Sequence, residues 1–381
     1  MNQTGVNAIE LTEGTVPEIR QTGRYAIVAI TRHGVEMARS LAKQFPDADL
    51  YYMSKFARGD EEQQGIQLFT GSVRLLFPAL FPVYEGLILF ISLGAVVRMI
   101  APVLKDKKTD PGVVVIDDKG RHAISVLSGH LGGANELTRE VAALLGAQPV
   151  ITTASDVQKT IPVDLFGRRF GWTWDPISEK KLTPVSASVV NEEHVAIVQE
   201  SGEKDWWMHD TPMPPSLKIY DSIEEALAAG PDAALVITHR QLRPEEIPIL
   251  DNGVLYRPKV IILGIGCNRG TSAEEIENVI RETLDHLGFS MQSVKAVGTI
   301  DLKKDEEGLL AVCSKHGWEF VYYTPEELNE MNIEEPSDTV YKFTGAYGVS
   351  EPACKRYSGQ EKLVLTKRKS GNVTISVGVL A

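Results

Sequence analysis

Tyr25-Ala26-Ile27-Val28-Ala29-Ile30, then Thr31-Arg32-His33-Gly34, then Val35, Ala38, Leu41, Ala42 and Phe45: this stretch decides the fold. Six successive uncharged, mostly aliphatic residues predict a short buried strand. The apolar positions that follow recur at three- and four-residue steps, the period of one helix face. Strand, polar turn and helix together open an α/β unit.

Working outward, the same alternation continues. Asp49–Met53 reads as a second strand, residues 54–65 as a polar loop, and Ile66–Phe77 as a helix. Leu87–Ile91 is a strongly apolar strand, followed by Ser92-Leu93-Gly94 and a helix ending near Pro102. The apolar run from Leu87 to Leu104 is broken by Gly94, Arg98 and Pro102, which predicts strand plus helix rather than a membrane span. Val113–Ile116 and Ala123–Val126 flank Asp117-Asp118-Lys119-Gly120, a hairpin turn. Ser128-Gly129-His130-Leu131-Gly132-Gly133-Ala134-Asn135 leads into a helix with Leu137, Val141, Leu144 and Leu145 on one face. Asn135 is read as its N-cap and Gly146 as its stop. Pro149–Thr152 starts another strand.

The reading is a multi-domain α/β protein. Residues 1–23 form a loose tail without the apolar segment of a secretory leader. Residues 24–148 are an N-terminal α/β domain. Residues 149–256 are a less regular middle α/β domain holding Trp172, Trp174, Trp206 and Trp207, with strands at Val195–Gln199 and Leu235–Thr238 and a helix at Ser222–Ala229. Residues 257–381 are a C-terminal α/β domain. There Val260–Leu263 leads through Gly264-Ile265-Gly266-Cys267-Asn268-Arg269-Gly270 into a helix capped by Ser272 and Glu275. Lys295–Ile300, Glu319–Tyr322, Leu363–Lys367 and Val373–Gly378 are its further strands, and Thr324–Glu327 opens a short helix with a capping box.

Charge and cysteine content narrow the function. Thirty-nine basic against 51 acidic residues give −12 over 381 residues, which argues against nucleic acid as a partner. An anionic small molecule is compatible, because a few arginines and helix N-termini capture carboxylates locally. Three cysteines, Cys267, Cys313 and Cys354, with no CxxC pair, fit a reducing cytoplasm. No GxxxxGK[ST], HExxH or GxSxG motif occurs, so generic ATPase and hydrolase machinery is absent.

Several groups are candidates for chemistry. The glycine loop Gly129–Asn135 suits an anion or oxyanion, or serves only as a tight turn. His130 reads as a general acid or base, an axial metal ligand, or a hydrogen-bonded structural residue. Arg269 suits a carboxylate clamp, or is a surface charge, and Cys267 is otherwise a small buried residue. Arg98 either snorkels or points into a site. Thr109-Asp110, Arg121-His122 and Asp156 stand at strand ends, where α/β folds place ligands. Glu351 is an acid/base or a first-turn helix acid.

Together these segments resemble a known family. Ser92–Arg98 (SLGAVVR), Lys105–Pro111 (KDKKTDP), Leu127–Asn135 (LSGHLGGAN) and Pro149–Asp156 (PVITTASD) resemble the CbiG family of anaerobic cobalamin biosynthesis. Gly264–Cys267, Ala296–Asp301 (AVGTID), Gly348–Glu351 and Leu363–Lys369 resemble the family's CobE-like domain. The resemblance spans nearly the whole folded chain. It implies a cobalt-precorrin-5A hydrolase: water opens a δ-lactone formed by the ring A acetate, and a two-carbon fragment leaves as acetaldehyde. It further implies a carboxylate-rich tetrapyrrole partner and transient contact with other enzymes of the pathway, without nucleic acid or membrane. No cofactor and no protein-held metal are expected, since cobalt arrives inside the substrate. Lactone hydrolysis needs a base for water and donors for the oxyanion. His130 is expected as base or acid. Gly94, Arg98, Ser128, Gly129, Gly132, Gly133, Asn135, Gly266, Cys267, Arg269, Thr299 and Glu351 are the expected substrate contacts. Cys267 stays open between packing and an axial cobalt contact. A non-catalytic tetrapyrrole carrier is the second reading.

Overall fold

Alternating strands and helices build three separate sheets in the computed structural model, which describes residues 8–380. The chain divides into two compact units, one ending at Leu165 and one beginning at Phe166.

The first unit contains β1 (Ala8–Glu10), β2 (Tyr25–Ala29), β3 (Ala48–Met53), β4 (Gln67–Thr70), β5 (Gly86–Phe90), β6 (Gly112–Ile116), β7 (His122–Leu127) and β8 (Gln148–Val150). Its helices are α1 (Arg32–Gln44), α2 (Phe77–Leu80), α3 (Leu93–Ile100), α4 (Ala134–Leu145) and α5 (Ala154–Val157). The strands form one sheet in the order β1-β4-β3-β2-β5-β6-β7-β8. Both faces are covered, which is why the strands read as continuous apolar runs. Ile27 and Ala29 of β2 pack with Val35 and Leu41 of α1 and Val141 of α4. Ala26 and Val28 pack on the other face with Val96 and Ile100 of α3 and Leu80 of α2. Thr31 caps α1 by accepting the Gly34 amide, and Gly146, at φ +66°, ends α4.

One feature of this sheet decides where the site lies. β2 to β6 run parallel, but β6 and β7 form an antiparallel hairpin pairing Val113 with Leu127 and Ile116 with Ala123. β8 is parallel to β7. The sheet therefore has two carboxyl edges: one for β2 to β6, and the opposite one for β7 and β8.

The structure departs from expectation at three places in this unit. Residues 1–7 lie outside the described residues, but Ala8–Glu10 is not tail: it pairs parallel with β4, and Leu11 inserts into the core. The helix expected over Ile66–Phe77 is instead β4 followed by a turn at Gly71 and the short helix α2. Leu68 and Phe69 serve opposite core faces, as neighbours in a strand do. The expected boundary at 148/149 falls inside β8, and the first unit runs on to Leu165.

The second unit holds two sheets. The middle one orders β9 (Thr173–Trp174), β10 (Val195–Gln199), β11 (Leu217–Tyr220), β12 (Ala233–Ile237) and β13 (Gly253–Arg257) as β11-β10-β12-β13-β9, with α6 (Leu182–Val190) and α7 (Ile223–Ala228). The last orders β14 (Ile261–Cys267), β15 (Val294–Ile300), β16 (Glu319–Tyr323), β17 (Leu365–Ser370) and β18 (Val373–Val379) as β16-β15-β14-β18-β17. Its helices are α8 (Ala273–Leu287), α9 (Glu307–His316), α10 (Pro325–Asn329), α11 (Asp338–Thr344) and α12 (Ser350–Ser358). α12 lies directly on the sheet: a Cβ at Gly264 would sit 1.8 Å from the Ser350 carbonyl oxygen. Ser272 caps α8 by accepting the Glu275 amide, but the Glu275 carboxylate turns to Asn372, so only half of the expected capping box forms. The Thr324–Glu327 box is complete.

Candidate functional site

β7 ends in the glycine loop. Ser128 leaves the strand at φ +53°, a left-handed conformation uncommon for a residue with a side chain, and its hydroxyl is buried without a partner among the described residues. The loop then folds on itself. A Cβ at Gly132 would lie 2.3 Å from Ser128 Cβ, and Gly133 adopts φ +76° as the N-cap of α4. The Gly133 amide donates to His130 O (2.8 Å), that of Ala134 to Ser128 O (3.1 Å), and that of Asn135 to Gly129 O (3.0 Å). The first amides of α4 are thus taken by the loop's own carbonyls. Among the described residues, the amides of His130, Leu131 and Gly132 have no acceptor, so these are the donors the loop can offer an anion.

His130 lies between two carboxylates. Its Nδ1 is 3.0 Å from Asp164 Oδ1, and its Nε2 is 3.2 Å from Asp156 Oδ2 and 3.1 Å from Ser155 Oγ. The bond to Asp156, then that to Asp164, pushes His130 up to about 9, against the burial that opposes its charge. His130 in turn, aided by Arg139, draws Asp156 down to about 2. At neutral pH the ring is an imidazolium donating from both nitrogens. It then has no lone pair for a proton or a metal, and both its N–H groups are taken by the carboxylates.

Asn135 does not cap α4. It is the second residue of the helix, and it is buried. Its Oδ1 accepts from Ser125 (2.7 Å), while Nδ2 donates to Thr153 Oγ1 (2.9 Å) and Asp156 Oδ2 (2.9 Å). It therefore holds Asp156 in place from behind. β7 and β8 share a carboxyl edge, and this brings Thr153, Ser155 and Asp156 to the loop.

Gly94 and Arg98 are not brought here. They follow β5 at the other carboxyl edge, where the exposed Arg98 donates to Gly94 O (2.8 Å). Asp110 is also structural: its carboxylate accepts the Lys105 amide. Arg121 is exposed, and His122 lies 3.3 Å from Asp117 in the hairpin turn.

In the C-terminal sheet, Gly266 and Cys267 end β14, and Arg269 follows. Burial pushes the Cys267 thiol up to about 11, so it is neutral. Arg269 is exposed and paired with Asp305 at 2.7 Å. Thr299 is buried and donates to Ile265 O (2.7 Å). Glu351 is the buried first-turn acid of α12; it pairs with Lys355 (2.7 Å) and accepts the Glu334 amide (3.1 Å). Thr299 and Glu351 are thus engaged in the fold itself, which leaves neither free for a substrate. Among the described residues, no group of three or more His, Cys, Asp or Glu could hold a metal ion, and no helix is long and apolar enough to cross a membrane.

Asp164, Arg139 and Ser125 were not visible as site residues. Thr153 and Ser155 fall within the PVITTASD segment and could have been found from it, but Asp164 has no local signal.

Three sheets with their helices, and a histidine held between two carboxylates at a strand–loop–helix junction, define a multi-domain α/β protein. Residues 76–156 match the family model described as Cobalamin synthesis G N-terminal, 161–258 the Cobalamin biosynthesis central region, and 261–378 the Cobalamin synthesis G C-terminus. A cobalt-precorrin-5A hydrolase of Priestia megaterium is 68% identical over 372 residues, covering 98% of this chain and 99% of that one. A cobalt-precorrin-5A hydrolase of Salmonella typhimurium is 32% identical, covering 93% of this chain and 97% of its own. Protein CobE of Sinorhizobium sp. is 26% identical over 110 residues, 28% of this chain and 71% of CobE, in the C-terminal part. The chain belongs to the cobalamin synthesis G (CbiG) family.

Proposed function

We propose that this chain hydrolyses cobalt-precorrin-5A, acting on a carbon–carbon bond after lactone opening. The observation that carries the reading is the end-to-end likeness to a hydrolase of that name, 68% identical over 98% of the chain. Water attacks the lactone carbonyl, the ring A acetate is released as a carboxylate, and the freed oxygen stays on the methylated meso carbon. That hydroxyl then returns its proton to His130, its C–O bond becomes double as the bond to the ring breaks, and the carbon and its methyl depart as acetaldehyde, leaving a contracted ring. The macrocycle and its cobalt, both substrate, take up the electron pair of the broken bond.

In this reading His130 turns one N–H from its carboxylate to the departing alkoxide, the carboxylate so released accepts the proton of the attacking water, and the amides of His130, Leu131 and Gly132 face the oxyanion. Ser128, Gly129 and Gly132 position the loop. The protein needs no resident cofactor. The partner is a carboxylate-rich cobalt tetrapyrrole, passed transiently between enzymes of the pathway, and the compartment is the cytoplasm. The three unpaired thiols fit that compartment.

Anaerobic incubation with cobalt-precorrin-5A, with aldehyde trapping and corrinoid mass measurement, tests this. Stoichiometric acetaldehyde with the matching mass loss is expected. Tight binding without aldehyde would instead indicate a carrier, and neither binding nor turnover by folded protein would refute the reading. His130→Gln is expected to abolish aldehyde release while retaining binding.

A further inference from the structure

The outer surface of α3 breaks the rule of the first unit. Its inner residues Val96 and Ile100 are buried, as expected. Its outer residues Leu93 and Val97, one turn apart, are 40% and 49% exposed, and Leu104, just after the helix, is 44% exposed. A solvent face of a helix is ordinarily polar. With the exposed Ala101 and Pro102 between Val97 and Leu104, apolar side chains follow one another along this stretch, the kind of surface used for contacts.

The charges beside it are of one sign. From Arg98 to Lys108 there are four cations against one carboxylate, in a chain whose net charge is −12. The strip also leads to the candidate site. The Lys105 amide donates to the Asp110 carboxylate (3.0 Å), and the Asp110 carbonyl oxygen lies 3.1 Å from where a Cβ on Gly132 would stand. The basic turn after α3 therefore ends against the glycine loop, on the same edge as His130.

We propose that the outer surface of α3 from Leu93 to Leu104, with the basic turn that follows, seats the flat face and carboxylate rim of the macrocycle, placing its lactone end at the glycine loop. This rests on the hydrolase reading for the identity of the ligand. An apolar strip suits a conjugated ring face, and Arg98, Lys105 and Lys107 suit peripheral carboxylates. A second copy of the chain is the poorer occupant, since two-fold pairing over this strip would set one cationic rim against another.

The test uses the full chain and a heptacarboxylic cobalt corrinoid as probe, titrated by its visible absorbance. Val97→Glu places a carboxylate on an exposed position, so folding is unaffected while an apolar, anionic ligand is repelled. The affinity is expected to fall about tenfold or more. Lys107→Glu is expected to weaken binding and flatten its salt dependence. Phe343→Glu, at an 81% exposed position in the C-terminal domain, is expected to change nothing. Wild-type affinity in Val97→Glu overturns the proposal. So does a change of oligomeric state in Val97→Glu at unchanged affinity, which would assign the strip to a second copy. Acetaldehyde release by the wild type separates the two claims. Release with no effect of Val97→Glu on KM sinks the binding surface alone. Val97-dependent binding without release sinks the hydrolase reading alone, and a wild type that neither binds nor releases sinks both.

Discussion

Replacing Asp164 by asparagine removes one of the two carboxylates from His130 and keeps the side chain's shape. Asp164 Oδ1 is 3.0 Å from Nδ1, and Asp156 Oδ2 is 3.2 Å from Nε2. Together they lift the ring from 6.5 to about 9, with Asp156 the larger cause. A rise of this size is a preference for the charged ring of roughly 3 kcal/mol. Asp164 supplies the lesser share, so Asp164→Asn is expected to lower His130 by about one unit, or ~1.4 kcal/mol.

The sign of the pH dependence follows. His130 sits higher in the folded protein than in the unfolded chain, so its stabilisation is complete below pH 6.5 and is lost as pH rises through about 9. Asp156 is held down to about 2, below its ordinary 3.8, so its share is present above that value and is lost as pH falls toward 2. Stability of the first unit therefore has a plateau between these limits, and Asp164→Asn moves its alkaline limb down by about one unit. Ring titration by NMR in histidine-labelled protein reads this directly, with His130→Gln identifying the resonance among eight histidines. A wild-type ring titrating near 6.5 would refute the clamp, and a variant titrating with the wild type would remove Asp164 from it. If His130 is the acid, the alkaline limb of kcat moves with the ring.

Asn135→Leu leaves Ser125, Thr153 and Asp156 each short of a buried partner, so a loss of about 2–3 kcal/mol is expected in urea unfolding, and a loss under ~0.5 kcal/mol would contradict the network. Gly264→Ala forces a Cβ to 1.8 Å from Ser350 O and is expected to cost about 3 kcal/mol or more, whereas Gly266→Ala, whose nearest neighbour is Val349 Cβ at 3.4 Å, should lie within ~1 kcal/mol of wild type; equal thermal stabilities would be wrong for this packing. Cys267, as a neutral half-buried thiol, should alkylate slowly at neutral pH and about tenfold faster per pH unit through the alkaline range, and a rate at pH 7.5 matching a free cysteine would contradict the burial.

The elements legible in the sequence are those whose burial is decided locally. Tyr25–Ala29 and the α1 stripe carry their own periods, and Gly146 its own end signal. β1 has no signal in the sequence, because a three-residue edge strand exists only through its pairing with β4, some sixty residues away. Gln67–Thr70 reads as helix in the sequence because Leu68 and Phe69 face two different cores, which hides the alternation of a half-buried strand. At the site, His130 stood out by its loop and Asp156 by its motif. Asp164 is 34 residues from His130 in the chain and meets it only because the segment after α5 returns past the glycine loop.

The hairpin between β6 and β7 explains why the expected contacts separated. Asp117–Gly120 was legible as a turn, but its consequence was not. By reversing the last two strands it moves the carboxyl ends of β7 and β8 away from those of β2 and β5. Gly94 therefore starts α3 at one edge, and His130 sits at the other. A rigid ligand cannot touch both through loops at a single edge, as the usual crevice of a doubly wound sheet would allow. What joins the edges is α3 itself, which runs from the first toward the second, where Asp110 at the end of the basic turn approaches the glycine loop. The segments SLGAVVR, KDKKTDP and LSGHLGGAN are then successive parts of one continuous surface rather than three separate loops. That continuity predicts that changes at Leu93 or Val97 act on substrate binding, while changes at His130 act on the chemical step.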